Sequence, residues 1–155
     1  DWDALRQLVQ EVQTHYFGTP LSEGEVKNAL DDMLLRNEVQ VRVAVLAATM
    51  VGCATYTILQ FAPNGYGTLF LKDLYVTASQ RGTGLGRRML ADLARIAKDR
   101  GCARFDWTSE TDNPRAMALY ESLGARPVKD KVYYRVRNEG LSDFIAACDG
   151  VPDPS

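Results

Sequence analysis

The stretch LYVTASQRGTGLGRRML, residues 74–90, changes character twice within seventeen positions. It opens strand-like at Leu74, Tyr75 and Val76 and then meets three glycines at alternate positions, Gly82, Gly84 and Gly86. Arginines flank the glycines at Arg81, Arg87 and Arg88, and a helical pattern follows at once. Glycine lets a backbone approach an anion and aim successive N–H groups at it. The helix start behind adds unsatisfied amides and a partial positive charge, and arginine adds charge-assisted hydrogen bonds. A strand, a glycine loop and a helix in that order predict a phosphate cradle.

Two nucleotide-binding signatures fit the spacing poorly. A Walker loop needs GxxxxGK[ST], which is absent. A dinucleotide fingerprint needs GxGxxG after the first strand of a βαβ unit, whereas the spacing here is GxGxG and three strand-like runs come first.

Outward from the loop, the periodicities place the other elements. Leu5, Leu8, Val9 and Val12 share one helical face, and the pattern breaks at HYFGTP, residues 15–20. Ser22, with Glu25 three residues later, forms a capping box for a second helix that carries Val26, Leu30, Met33 and Leu34. Val39, Val41, Val43 and Val45 alternate along a strand, residues 51–61 form another, and a turn near Thr49 and Met50 joins them as a hairpin. Residues 62–67 turn into the third strand, TLFLKDLYV, residues 68–76. Leu85, Met89, Leu93 and Ile96 repeat at helical spacing, and Gly101 stops that helix. Residues 102–109 are strand-like, and Asn113 and Pro114 supply an N-cap and a first-turn proline for a helix to Leu123. KVYYRVR, residues 131–137, reads as a last strand and residues 141–148 as a terminal helix. The order ααβββαβαβ predicts an α/β (α+β) domain over residues 1–148, with an antiparallel front and a parallel βαβ crossover flanked by helices. Residues 149–155 read as a disordered tail.

Composition narrows the class of function. The 155 residues are 46% hydrophobic with a net charge of −2, so bulk charge offers nothing to nucleic acid or membrane. No apolar run approaches the ~20 residues of a membrane span. Cys53, Cys102 and Cys148 are scattered and include no CxxC pair, which argues against a metal knuckle and fits free thiols in the cytoplasm.

Residues 74–90 resemble the acetyl-CoA-binding motif of the GNAT superfamily of N-acetyltransferases, whose core is R/Q-x-x-G-x-G/A; Arg81, Gly84 and Gly86 fill it. TDNPRAMALYESLGA, residues 111–125, resembles the family's second motif, with Asn113 seven residues ahead of Tyr120. The element order also matches, apart from a missing first strand that would place the native start before Asp1. LKDLYV, residues 71–76, and residues 112–125 look most like the diamine and thialysine acetyltransferase branch.

The resemblance implies a GNAT-type mixed sheet, acetyl-CoA as co-substrate, no metal, and a homodimer. It implies that Leu74, Tyr75 and Val76 bond the pantetheine arm, with the Val76 N–H as oxyanion donor, a role worth ~3 kcal/mol. Arg81, Gly82, Thr83, Gly84, Leu85, Gly86 and Arg87 would cradle the pyrophosphate, and Asn113 and Arg115 would also touch the cofactor. The implied reaction is direct attack by a primary amine of a small molecule or lysine side chain. The alternatives are a non-catalytic acyl-CoA-binding regulatory domain and a protein-lysine acetyltransferase.

Tyr120 is the expected general acid, since a phenol of pKa ~10 stays protonated and a thiolate near ~8.5 needs its proton. Asp73, Glu110 and Asp112 are open as the base. Tyr16 and Phe17 are expected to wall the acceptor pocket, with Glu110 and Lys72 beside it. His15 reads as a solvated loop residue and Trp107 as core. Lys72 stands where the polyamine-type branch carries glutamate, so the resemblance implies an acceptor other than a long polyamine. Strand alternation predicts that Lys72 and Asp73 point to opposite faces.

Overall fold

The computed structural model describes residues 2–36, 39–60 and 66–150. They divide into two compact units, Asp1–Leu119 and Tyr120–Ser155.

The first unit opens with α1 (Trp2–Phe17) and α2 (Glu23–Arg36). α1 continues through the stretch expected to break it and ends at Gly18, whose amide bonds Thr14 O at 3.0 Å. His15, Tyr16 and Phe17 therefore belong to a helix rather than a loop. The capping box forms as predicted: the Ser22 amide donates to Glu25 Oε2 at 2.8 Å and the Glu25 amide to Ser22 Oγ at 3.4 Å. These bonds hold the Glu25 carboxyl below its usual pKa. The Gln10 side-chain amide bonds both the N–H and C=O of Leu21, tying α1 to the start of α2. Val26 and Leu30 bury the inner face of α2.

Four strands follow, β1 (Gln40–Leu46), β2 (Thr49–Leu59), β3 (Thr68–Val76) and β4 (Arg104–Trp107), in sheet order β1-β2-β3-β4. β1, β2 and β3 are antiparallel, and β3 and β4 are parallel, joined by α3 (Leu85–Asp99). The mixed sheet and crossover are those expected. The β1–β2 turn falls earlier than expected, at Ala47 and Ala48 with φ of 48° and 64°. Both central residues of such a hairpin turn must be left-handed. Val43 and Val45 of the edge strand β1 are exposed.

Cross-strand partners share a face of the sheet. Cys53 and Tyr75 are partners, and Val12 of α1 packs on them. The next pair, Gly52 and Val76, faces the other way, toward α3: a Cβ on Gly52 would lie 3.1 Å from Met89 Sδ and 2.9 Å from the Tyr75 carbonyl. α1 and α3 thus cover opposite faces, with Leu69 and Leu93 fully buried in the core.

α4 (Pro114–Ser122) runs from the first unit into the second. Asn113 caps it, Oδ1 accepting the Ala116 amide at 3.1 Å. The second unit continues through a 3-10 turn (Asn138–Gly140) to α5 (Leu141–Asp149). Residues 131–137 form no strand there; Val132, Tyr133 and Tyr134 are exposed. A strand needs a neighbour for its backbone groups, and among the described residues none pairs with this run. α5 takes in Asp149, the first residue of the expected tail, and residues 151–155 lie outside those described.

Candidate active site

β3 and β4 part company at one point. Their pairing ends at Leu71 with Trp107, whereas β3 runs five residues further, to Val76. The parting coincides with a bulge: Thr55 pairs with Asp73 and Tyr56 with Leu71, leaving Lys72 as the extra residue. A bulge bends its strand and breaks the alternation of side chains. Residues 72–76 therefore have β2 on one side and no β4 on the other.

Directly beyond lie a 3-10 turn (Ala78–Gln80) and the glycine loop. Gly82 and Gly84 take φ of 81° and 82°, left-handed values that disfavour any side chain. Gly84 is the N-cap of α3 and brings no side-chain cap. The first intrahelical bond is Arg88 N–H to Gly84 O at 3.1 Å, so the amides of Leu85 and Gly86 precede the ladder. The Thr83 hydroxyl donates to Gln80 O at 2.8 Å, and Arg88 Nη1 donates to Thr83 O at 3.3 Å. Arg115 approaches from α4, its Nη2 3.9 Å from where a Cβ on Gly82 would stand. The Arg81 and Thr83 amides donate back to Ala78 O and Gln80 O, at 3.3 and 3.4 Å, which leaves those of Gly82, Gly84, Leu85 and Gly86, with arginine beside them, as the set that suits a pyrophosphate.

Arg81 joins the loop to the open strand. Its Nε donates to Val76 O at 3.1 Å, and its guanidinium lies 5.7 Å from the centre of the Tyr75 ring. The Tyr75 hydroxyl donates to Glu11 Oε2 of α1 at 3.5 Å. Burial, and then the Glu11 charge, raise the Tyr75 pKa against the opposing pull of Arg81, so the phenol stays protonated.

On the same face as Tyr75, Asp73 Oδ2 accepts from Thr55 Oγ1 at 2.8 Å, and Asp73 Oδ1 lies 3.7 Å from Lys72 Nζ. This ion pair corrects the expectation that Lys72 and Asp73 face opposite ways, since the bulge interrupts alternation at Lys72. Cys53 stands behind, its thiol pushed up to about 11 by burial and by the Asp73 charge.

The structure therefore brings together Val76, Arg81, the glycine loop and Arg115, with Lys72, Asp73 and Tyr75 at the adjoining strand. Asn113 commits its side-chain oxygen to the helix cap. Glu110 sits in the exposed turn before α4, its carbonyl accepting the Asn113 amide. The side chains of Tyr16 and Phe17 lie outside those described. Tyr120 opens the second unit, and burial raises its pKa. Sequence reasoning missed Glu11; the available signal was a carboxylate three residues after Leu8, on the border of the apolar stripe of α1. Among the described residues no group of three or more His, Cys, Asp or Glu could hold a metal, and no helix is long and apolar enough to cross a membrane.

Comparison with known proteins adds three findings. A family model described as the acetyltransferase (GNAT) family matches residues 2–125. A thialysine N-epsilon-acetyltransferase of Sus scrofa is 33% identical over 92 residues, covering 59% of this chain and 54% of that protein. The chain spans about half the length of that relative. A glucosamine 6-phosphate N-acetyltransferase of Trypanosoma brucei brucei is 32% identical over 110 residues, 69% of this chain and 72% of its own. Among solved structures, an integron cassette protein from the mobile metagenome of V. cholerae is 37% identical with a TM-score of 0.85, covering 92% of this chain and 90% of that one.

Proposed function

The chain belongs to the GNAT acetyltransferase family, and we propose that it transfers an acetyl group from acetyl-CoA to the primary amine of a small molecule. The observation that carries this reading is the join between the open end of β3 and the glycine loop. An extended amide-bearing arm can pair with a strand edge as a neighbouring strand would, and the loop beyond takes the pyrophosphate at the arm's far end.

The residues divide the work as follows. The amides of Gly82, Gly84, Leu85 and Gly86, with the guanidinium of Arg115, hold the phosphates. Arg81 fixes the Val76 carbonyl and so sets the angle at which the strand meets the loop. Val76 N–H stabilises the oxyanion that forms as the amine attacks. Tyr120 gives its phenolic proton to the departing sulfur; its raised pKa suits an acid that must stay protonated until then.

The acceptor is an amine that also carries a carboxylate, such as a lysine-like amino acid. Lys72 is 69% exposed at its side chain and exchanges its pairing with Asp73 for the acceptor's carboxylate, and thialysine, in the name of a relative, is itself an amino acid. The protein acts as a homodimer, joined through the exposed Val132, Tyr133 and Tyr134; light scattering at the single-chain mass of 17.2 kDa would rule this out. The function is tested by an acceptor screen with acetyl-CoA, reading released thiol across amino acids, polyamines, aminoglycosides and lysine peptides. Thiol release above hydrolysis with at least one amine is the expected result, and release with none of them the contrary one.

A further inference from the structure

We propose that Glu11 of α1 receives the acceptor's ammonium group and takes its proton, with the Tyr75 hydroxyl as its positioning partner. The inference rests on the acetyl-transfer reading above and names a residue that no motif indicates.

The reaction requires a neutral amine beside the open end of β3, and an alkylamine is mostly protonated at neutral pH. A carboxylate beside that end of β3 can take the proton. Of the sequence candidates Asp73, Glu110 and Asp112, Asp73 alone lies on β3, but both its oxygens are engaged, by Thr55 at 2.8 Å and by Lys72 at 3.7 Å. The Lys72 ammonium also cancels its charge. Glu11 differs on each count. Among the described residues it forms no ion pair, and its one hydrogen bond is the long contact from Tyr75 at 3.5 Å. It is half-buried, facing the strand that outlasts β4.

Among the described residues, these charged and titratable groups lie on the elements nearest to it. From β3 come Tyr75 and, two residues before it, the paired Asp73 and Lys72; from the loop comes Arg81, 5.7 Å from the centre of the Tyr75 ring. From β2 comes Cys53, which stays a neutral thiol. Tyr75 precedes Val76 on β3, so Glu11 meets the strand residue adjoining the proposed oxyanion donor.

The proton balance closes. The ammonium gives one N–H proton to a Glu11 carboxylate oxygen, leaving R–NH2 with a lone pair. That pair forms the C–N bond, and the thioester C–S bond then breaks. Glu11 passes its proton to solvent, and the second proton lost by nitrogen replaces the one Tyr120 gives to sulfur.

The experiment compares wild type with Glu11→Gln, Glu11→Asp and Tyr75→Phe, using a lysine-like amino acid and acetyl-CoA. Thermal melting checks folding and calorimetry measures acetyl-CoA affinity. Glu11→Gln is expected to lower kcat/KM about 100-fold or more at pH 7, in the range of general-base losses, with the acetyl-CoA Kd within about two-fold of wild type. The deficit should shrink as pH rises toward the pKa of the amine, because the acceptor then arrives neutral. Glu11→Asp should recover part of the loss, and Tyr75→Phe should cost about ten-fold or less. Wild-type kcat/KM in Glu11→Gln, or a deficit constant with pH, overturns the assignment. A wild-type protein that neither binds acetyl-CoA nor releases thiol overturns the reading of the site and this inference with it.

Discussion

Lys72 Nζ lies 3.7 Å from Asp73 Oδ1, although neighbouring residues in a regular strand point to opposite faces. The bulge at Lys72 brings the two side chains to one face, and Thr55 holds the other oxygen of Asp73. The result is a cation and an anion side by side at the point where β3 leaves β4. A polycation meets no net negative charge from that pair, and on the proposed reading an acceptor's carboxylate displaces Asp73 from the exposed Lys72 ammonium.

Acceptor preference should follow. With acetyl-CoA saturating, kcat/KM for lysine-like amino acids is expected to exceed that for spermidine by about ten-fold, the effect of one well-placed charge. Lys72→Glu should reverse the order. A strong preference for spermidine in the wild type, undiminished in Lys72→Glu, would show that Lys72 does not face the acceptor.

Tyr120→Phe keeps the ring and removes the acid. The expected loss in kcat is about ten-fold or more, with acetyl-CoA affinity unchanged, as for an interaction made only in the transition state. Wild-type turnover in the variant would assign the protonation of sulfur elsewhere.

The hairpin turn offers a test of stability. Ala47 and Ala48 hold φ of 48° and 64°, where an L side chain costs about 1–2 kcal/mol. The double variant Ala47→Asn, Ala48→Gly supplies the pair this turn prefers. Urea unfolding should show a gain of about 1–2 kcal/mol; a loss would mean that the two alanines are not left-handed.

How much of this was legible in the sequence depended on range. The Ser22–Glu25 box and the Asn113 cap each involve residues three apart, so the chain spells them out locally. The glycine loop was legible for the same reason. The Ala47–Ala48 turn was not, because alanine is no turn former and only the strand register puts the bend there. The bulge at Lys72 arises from a misfit between two strands, and no pattern within either strand reports it. Glu11 meets Tyr75 across 64 positions of chain, a separation that periodicity cannot bridge. Residues 131–137 alternate like a strand, but alternation says nothing about a partner to pair with.

Cys53 makes stability depend on alkaline pH. Its thiol is raised from an ordinary 9.0 to about 11, mainly by burial. The folded state thus favours the protonated form. That contribution is fully present below pH 9 and is lost as pH rises through 11. A shift of this size corresponds to about 2–3 kcal/mol. Unfolding free energy should therefore fall more steeply between pH 9 and pH 11 in the wild type than in Cys53→Ala. Parallel curves would show that the thiol is not desolvated.

The proposed site puts the pyrophosphate of acetyl-CoA in the loop at Gly82 and Gly84. Calorimetric titration of acetyl-CoA into wild type and Gly84→Val tests it most directly. At φ of 82° a β-branched residue is strained, and space alone is no obstacle, since the nearest atom to an added Cβ is Arg88 Nη1 at 3.6 Å. Binding by the wild type is expected, with a Kd raised about ten-fold or more in a variant that still melts cooperatively, as when roughly 1.4 kcal/mol of phosphate contacts are lost. Equal affinity in the two proteins would contradict this placement.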